Sequence, residues 1–124
     1  MRVGVDVLDV AEVAHSVERF GERFLRRILS PRECDRAGES RIVTPEVVAQ
    51  HFVVKEAMLK VLRVADDVPR WRDIEVELGS ASVAIELSGA ALRWSERARL
   101  RRIVASVSLS GGRAWGCVIG EEEE

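Results

Sequence analysis

Thr44-Pro45-Glu46-Val47-Val48-Ala49-Gln50-His51-Phe52-Val53-Val54-Lys55-Glu56-Ala57-Met58-Leu59-Lys60-Val61-Leu62-Arg63-Val64 is the stretch on which the fold turns. Thr44-Pro45-Glu46 is a start signal, with proline in the first turn, where its missing N–H is no loss. Val47, Val48, Phe52, Val54, Met58, Leu59, Val61 and Leu62 fall on more than one face. That distribution predicts a central helix running to about Val64 rather than one draped on the surface. Lys55, Glu56 and Lys60 are thereby carried among apolar side chains, where charge is expensive unless paired or bound to a metal. Glu56 and Lys60 are one turn apart and within pairing reach.

Upstream, Val3, Val5 and Val7 alternate with Gly4, Asp6 and Leu8, the pattern of a first strand with Asp6 facing away from the valines. Asp9 and Glu12 resemble a capping box opening a helix to about Phe20. Phe20, Phe24, Leu25, Ile28 and Leu29 supply further apolar anchors, and Ser30-Pro31-Arg32-Glu33 is a second helix start. The segment 38–42 reads as a loop. Downstream, Ile74, Val76 and Leu78 form a half-wet strand, Gly79-Ser80 a turn, and Val83, Ile85 and Leu87 the returning strand. Ser88 can cap a helix to about Leu100. Arg102 to Ser110 and Arg113 to Ile119 read as strands joined by Gly111-Gly112. Residues 121–124 read as a frayed acidic tail. The sum is one α+β domain over residues 1–120, a small antiparallel sheet packed with helices.

The chain has 124 residues and a formal charge of −2. Such a length fits a single modest core and leaves little room for a deep private cleft, so a site between subunits is natural. The near-neutral balance argues against a nucleic-acid binder. Arginines nevertheless cluster at Arg19-Arg23-Arg26-Arg27 and at Arg93-Arg97-Arg99-Arg101-Arg102, which suits an acidic protein partner or a phosphorylated small molecule. No apolar run reaches the roughly 20 residues of a membrane span. With no targeting signal and no metal-type cysteine spacing, Cys34 and Cys117 are expected as free thiols in a cytoplasmic protein.

Where the first strand crosses the long helix, Asp6 and Glu56 would meet. Two adjacent carboxylates repel, and a divalent cation removes that cost. Oxygen-only ligation favours magnesium over zinc, with Lys55 and Lys60 holding phosphate charge. The alternative reading makes Lys55 and Lys60 structural partners that simply neutralise Asp6 and Glu56.

These residues resemble the acyl-carrier-protein-synthase class of 4′-phosphopantetheinyl transferases. Gly4-Val5-Asp6 matches the opening Gly-x-Asp strand. His51-Phe52-Val53-Val54-Lys55-Glu56-Ala57-Met58-Leu59-Lys60 matches the helix motif Arg-Phe-x-x-Lys-Glu-Ala-x-x-Lys. Arg27-Ile28-Leu29-Ser30-Pro31-Arg32-Glu33, Asp73-Ile74-Glu75-Val76 and Val107-Ser108-Leu109-Ser110 echo further family stretches in the same order. The resemblance implies magnesium held by Asp6 and Glu56, coenzyme A as substrate, and a carrier-protein serine as acceptor. It assigns catalysis to Glu56, Lys60 and Asp6, and places Lys55, Lys60, His51, Arg63, Arg41 and Ser110 on the coenzyme A side. It implies a homotrimer with sites at subunit interfaces, and docking of an acidic acyl carrier protein on Arg19, Arg23, Arg26 and Arg27.

The departures from the family pattern fall mainly on the phosphate contacts. His51 stands in place of the motif arginine, and Leu62-Arg63-Val64-Ala65-Asp66-Asp67 replaces a Gly-Thr-Gly run, so that phosphate is repelled unless Arg63 compensates. The family's Gly-x-Pro turn is Gly79-Ser80-Ala81, its flanking histidines are Ser106 and Gly111, and a basic pair is replaced by Ile42-Val43, leaving Arg41 nearest. A catalytically altered or inactive relative that binds carrier proteins or acts structurally is the alternative these departures leave open.

Overall fold

The computed structural model describes residues 1–39, 43–80 and 82–124. Strand β1 (Arg2–Asp9) leads into helices α1 (Val10–Phe20), α2 (Glu22–Ile28), α3 (Pro31–Glu39) and α4 (Pro45–Leu62). A 3-10 turn at Trp71–Asp73 introduces the hairpin of β2 (Ile74–Leu78) and β3 (Val83–Leu87). Helix α5 (Gly89–Arg97) then returns the chain to β4 (Leu100–Ser110) and β5 (Arg113–Glu122). The strands form one antiparallel sheet in the order β1-β5-β4-β3-β2, so the molecule is a single α+β unit.

Helix α4 is the centre expected of its sequence. Val48, Val53, Val54, Met58, Val61 and Leu62 are all buried against the sheet and the other helices. Each such side chain contributes about 1.5–3 kcal/mol relative to exposure. The helix lies unusually close to β1 and β5 because both strands put glycine beneath it. A Cβ at Gly116 would sit 3.0 Å from the Val53 carbonyl oxygen, and one at Gly4 would overlap the carbonyl oxygen of Ala57.

The same alternation leaves an apolar face on the far side of the sheet. Val3, Val5 and Val7 are 56%, 54% and 43% exposed, so the valines of β1 point to solvent while Gly4 and Asp6 face α4. Val3 pairs with Ile119 and Ile119 with Val104; Val7 pairs with Trp115. Val104 and Trp115 extend the exposed strip across three strands.

Several local expectations shift. Thr44 caps α4 by accepting from Val47 N at 3.2 Å, and Ser30 and Glu33 form the reciprocal capping box at 2.8 and 3.2 Å. Asp9 makes no such cap, because its carboxylate accepts from Arg113 Nε across the sheet at 3.0 Å. Ser88 likewise makes no side-chain cap on α5, and that helix ends at Arg97. Helix α3 continues through Glu39, and the rest of the expected loop, with Arg41, lies outside the described residues. The acidic end is not frayed at its start. Glu121 and Glu122 belong to β5, and Glu121, Glu122 and Glu123 pair with Arg101, the N-terminal amine and Arg99 at 3.3–3.4 Å. Arg99 and Arg101 of the second arginine cluster thus meet the tail.

Candidate active site

The close contact of Gly4 with Ala57 sets the orientation of the neighbouring side chains on both elements of the crossing. Two residues beyond Gly4, Asp6 points to α4; one residue before Ala57 and three after it, Glu56 and Lys60 point to β1. Lys60 Nζ donates to the Val5 carbonyl oxygen at 2.7 Å and to Asp6 Oδ1 at 3.2 Å. The expected Glu56–Lys60 pairing is therefore replaced by Lys60–Asp6. Lys60 finds a carbonyl and a carboxylate together on β1, which one helical turn cannot offer.

Glu56 is left half-buried and, among the described residues, without an ion pair. Burial first, and then the negative charge of Asp6, push its carboxyl above the usual carboxylate range; Lys60 opposes them. Asp6, Glu56 and Lys60 sum to one net negative charge when ionised. That is the balance that welcomes a divalent cation. No group of three or more histidine, cysteine, aspartate or glutamate side chains is gathered among the described residues. Two carboxylates alone fit magnesium, which keeps water and takes its remaining oxygens from substrate phosphate.

Other residues expected at this site lie elsewhere. Lys55, expected on phosphate or paired with Glu56, is completely buried on another side of α4. Its Nζ donates to Glu33 Oε1 at 2.7 Å and to the Trp71 carbonyl at 2.9 Å. Burial lowers its pKa, and Glu33 works against that shift. His51 joins the same interior group. Its Nδ1 donates to the Val47 carbonyl at 2.8 Å, and Nε2 stands 4.0 Å from Glu33 Oε2. Burial lowers its pKa too, against the hydrogen bond to Val47. Neither side chain is placed to grip a phosphate in this arrangement. A buried lysine demands a buried acid, and Glu33 within the capping box is the signal that could have identified the partner.

Arg63 ends α4 in the left-handed conformation, φ 54°, and its charge reaches Glu122. Ser110 sits at the β4–β5 turn and lines a different cavity, with Val10, Glu46 and Arg113. The segment after α4 contains the two acids that threatened phosphate. Asp67 is claimed by Arg93, which holds its carboxyl below the usual range with bonds of 3.0 and 3.2 Å. Trp94 Nε1 adds bonds to the carbonyls of Asp66 and Asp67, both 3.1 Å, and fastens the segment to α5.

Three of the four arginines of the first cluster are gathered at one opening. Arg23, Arg26 and Arg27 form one wall of a cavity of about 620 Å³, and Arg70, Trp71 and Arg72 form the other. Arg19 stands apart, its guanidinium 5.2 Å from the Phe20 ring centroid. Among the described residues no helix is long and apolar enough to cross a membrane.

An α+β unit of this topology is a shape already known. Residues 2–109 match the 4′-phosphopantetheinyl transferase superfamily. A holo-[acyl-carrier-protein] synthase of Halothermothrix orenii is 30% identical over 97% of this chain and 96% of its own. One from Xanthobacter autotrophicus is 39% identical over 73% of this chain and 68% of its own. The crystal structure of the Neisseria meningitidis synthase shares the fold, with a TM-score of 0.85 at 22% identity over 98% of both chains. The Helicobacter pylori synthase, solved in complex with coenzyme A, superposes with a TM-score of 0.78 at 25% identity, over 96% of this chain and 99% of its own. The chain belongs to the 4′-phosphopantetheinyl transferase superfamily, in its holo-[acyl-carrier-protein] synthase branch.

Proposed function

We propose that the protein transfers 4′-phosphopantetheine from coenzyme A to a serine of an acyl carrier protein, with magnesium bound at Asp6 and Glu56. The observation that carries this reading is the convergence of Asp6, Glu56 and Lys60 at the β1–α4 crossing. Phosphoryl transfer asks the protein mainly for positioning and charge stabilisation, and this is a site of that kind. A bound magnesium ion would supply positive charge against the pyrophosphate oxygens of coenzyme A.

The chain's own residues do the rest. The serine oxygen bonds to the β-phosphorus as the bridging oxygen to the α-phosphorus departs with 3′,5′-ADP. Glu56 accepts the serine proton. Lys60, exposed to the site, balances charge on the phosphates. With His51 and Lys55 turned inward, the remaining grip on coenzyme A falls to Lys60 and Arg63. Asp67 repels phosphate little once Arg93 holds it.

The carrier docks on Arg19, Arg23, Arg26 and Arg27, whose charge suits an acidic helix. The exposed strip of Val3, Val5, Val7, Val104 and Trp115 supports a homotrimer, because monomers rarely leave so much contiguous apolar surface wet. The setting is the cytoplasm. The test is the intact mass of an apo carrier protein incubated with protein, magnesium and coenzyme A. A gain of one phosphopantetheine, abolished by Glu56→Gln, is expected; no gain across a panel of carriers, from folded protein, defeats the reading.

A further inference from the structure

The buried charge cluster on the other side of α4 has no part in the transfer chemistry, yet it ties together the elements on which that chemistry depends. Glu33 is completely buried, and one carboxylate serves several elements. Its Oε1 accepts from Ser30 N at 2.8 Å, at the start of α3, and from Lys55 Nζ at 2.7 Å, on α4. Its Oε2 accepts from Val76 N at 2.9 Å, on β2. Lys55 passes the connection on to the Trp71 carbonyl at 2.9 Å. Trp71 belongs to the wall of the arginine-lined cavity, and Lys55 is the residue before Glu56.

A stem of two buried charges is rigid in a way that packing alone is not. Its hydrogen bonds are directional, and any displacement leaves an unpaired charge inside. Phe52 adds apolar support, with its ring centroid 5.1 Å from that of Trp71. The cavity wall and the metal-site turn of α4 are thus fastened to a single carboxylate rather than to each other through solvent.

We propose that Glu33 and Lys55 are positioning residues, whose buried pair holds the Trp71 wall of the arginine cavity in register with the α4 turn that carries Glu56 and Lys60. This rests on the transferase reading for its catalytic consequence, and not for its structural one. Neither residue touches the reacting atoms. A carrier seated against the cavity presents its serine at the distance from Glu56 that this pair sets. Small displacements of a reacting group reduce rates on the order of 10–100-fold.

The test uses the whole chain carrying Glu33→Gln together with Lys55→Met, which removes both charges while keeping volume, and separately Glu33→Asp, which keeps the charge and shortens its reach. Hydrogen exchange is read residue by residue alongside transfer kinetics. Expected for the double variant is faster exchange, by about tenfold or more, at residues 71–76 and in α4, with β4 and β5 still protected. Transfer should fall about 10–100-fold in kcat per folded molecule, with KM for coenzyme A changed less than about threefold. Glu33→Asp should lie between the double variant and the natural chain in both readouts. If exchange at 71–76 is unchanged in folded double variant, or if kcat is unchanged while exchange rises, the proposal is overturned. Should the double variant not fold, Glu33→Asp decides on the same two readouts. An inactive natural chain would defeat the transferase reading alone, and the exchange pattern would still decide whether the pair holds the wall.

Discussion

Two lysines on one helix, five positions apart in sequence, live in opposite worlds. Lys55 is enclosed by Glu33 and the Trp71 carbonyl and has no contact with water. Lys60 is 53% exposed, resting on a carbonyl and on one oxygen of Asp6. The acids beside them differ in the same sense. Glu33 accepts from three nitrogen donors, whereas Glu56, among the described residues, has no ion pair and a raised pKa. The lesson is that satisfaction, not burial, separates structural charge from working charge. A charge whose partners are all supplied by the chain belongs to the fold. One left short of partners is available to a ligand.

The contrast is open to direct attack. Lys55→Met alone strands Glu33 as an unpaired interior carboxylate, and removal of one partner of a buried pair costs about 3–5 kcal/mol. Urea unfolding should show that loss, and a loss under about 1 kcal/mol would erase the distinction between the lysines. Lys60→Ala should do the reverse. Its partly exposed pair is worth at most about 1 kcal/mol of stability. Transfer should nevertheless drop on the order of 10²-fold, seen in single-turnover measurements, because the charge proposed to face the phosphates is gone.

A gentler probe is pH. The folded protein binds the Glu56 proton more tightly than the unfolded chain does, since burial and Asp6 raise that pKa. The stability this confers is fully present below the ordinary carboxylate pKa and is lost as pH rises through the raised one. Melting temperature of metal-free protein should therefore decline across that window. Glu56→Gln should flatten the decline, and millimolar magnesium should reverse it in the natural chain. No such reversal would mean that the acidic pair does not bind the ion.

Much of this was legible from residue order. The alternation in β1, the breadth of the apolar pattern in α4 and the Gly-Gly turn before β5 each announce their elements, and Asp6, Glu56 and Lys60 do assemble where strand and helix cross. What escaped reading was sidedness and long-range pairing. Alternation at Val3, Val5 and Val7 sets two faces but does not say which one is wet. The answer lies in Gly4, where the crowding by Ala57 admits no side chain. The partner of Lys55 lies on another helix, in a capping motif that already gives its glutamate a local role, so only the demand of a buried lysine for an acid points to the second one. Asp9 and Asp67 were likewise drawn away from local roles by arginines distant in sequence.

Strand β1 carries the site's aspartate on one face and the bare valines on the other. Side chains alternate with a period of two, so a slip of one residue against β5 would exchange the faces. Val5 would then press on α4 and Asp6 would be thrown among the exposed valines. A chain folded with that error would lose the Asp6–Lys60 contact and its greasy patch together. A one-residue slip therefore cannot spoil one face of the strand and spare the other: the acid and the apolar strip are right together or wrong together.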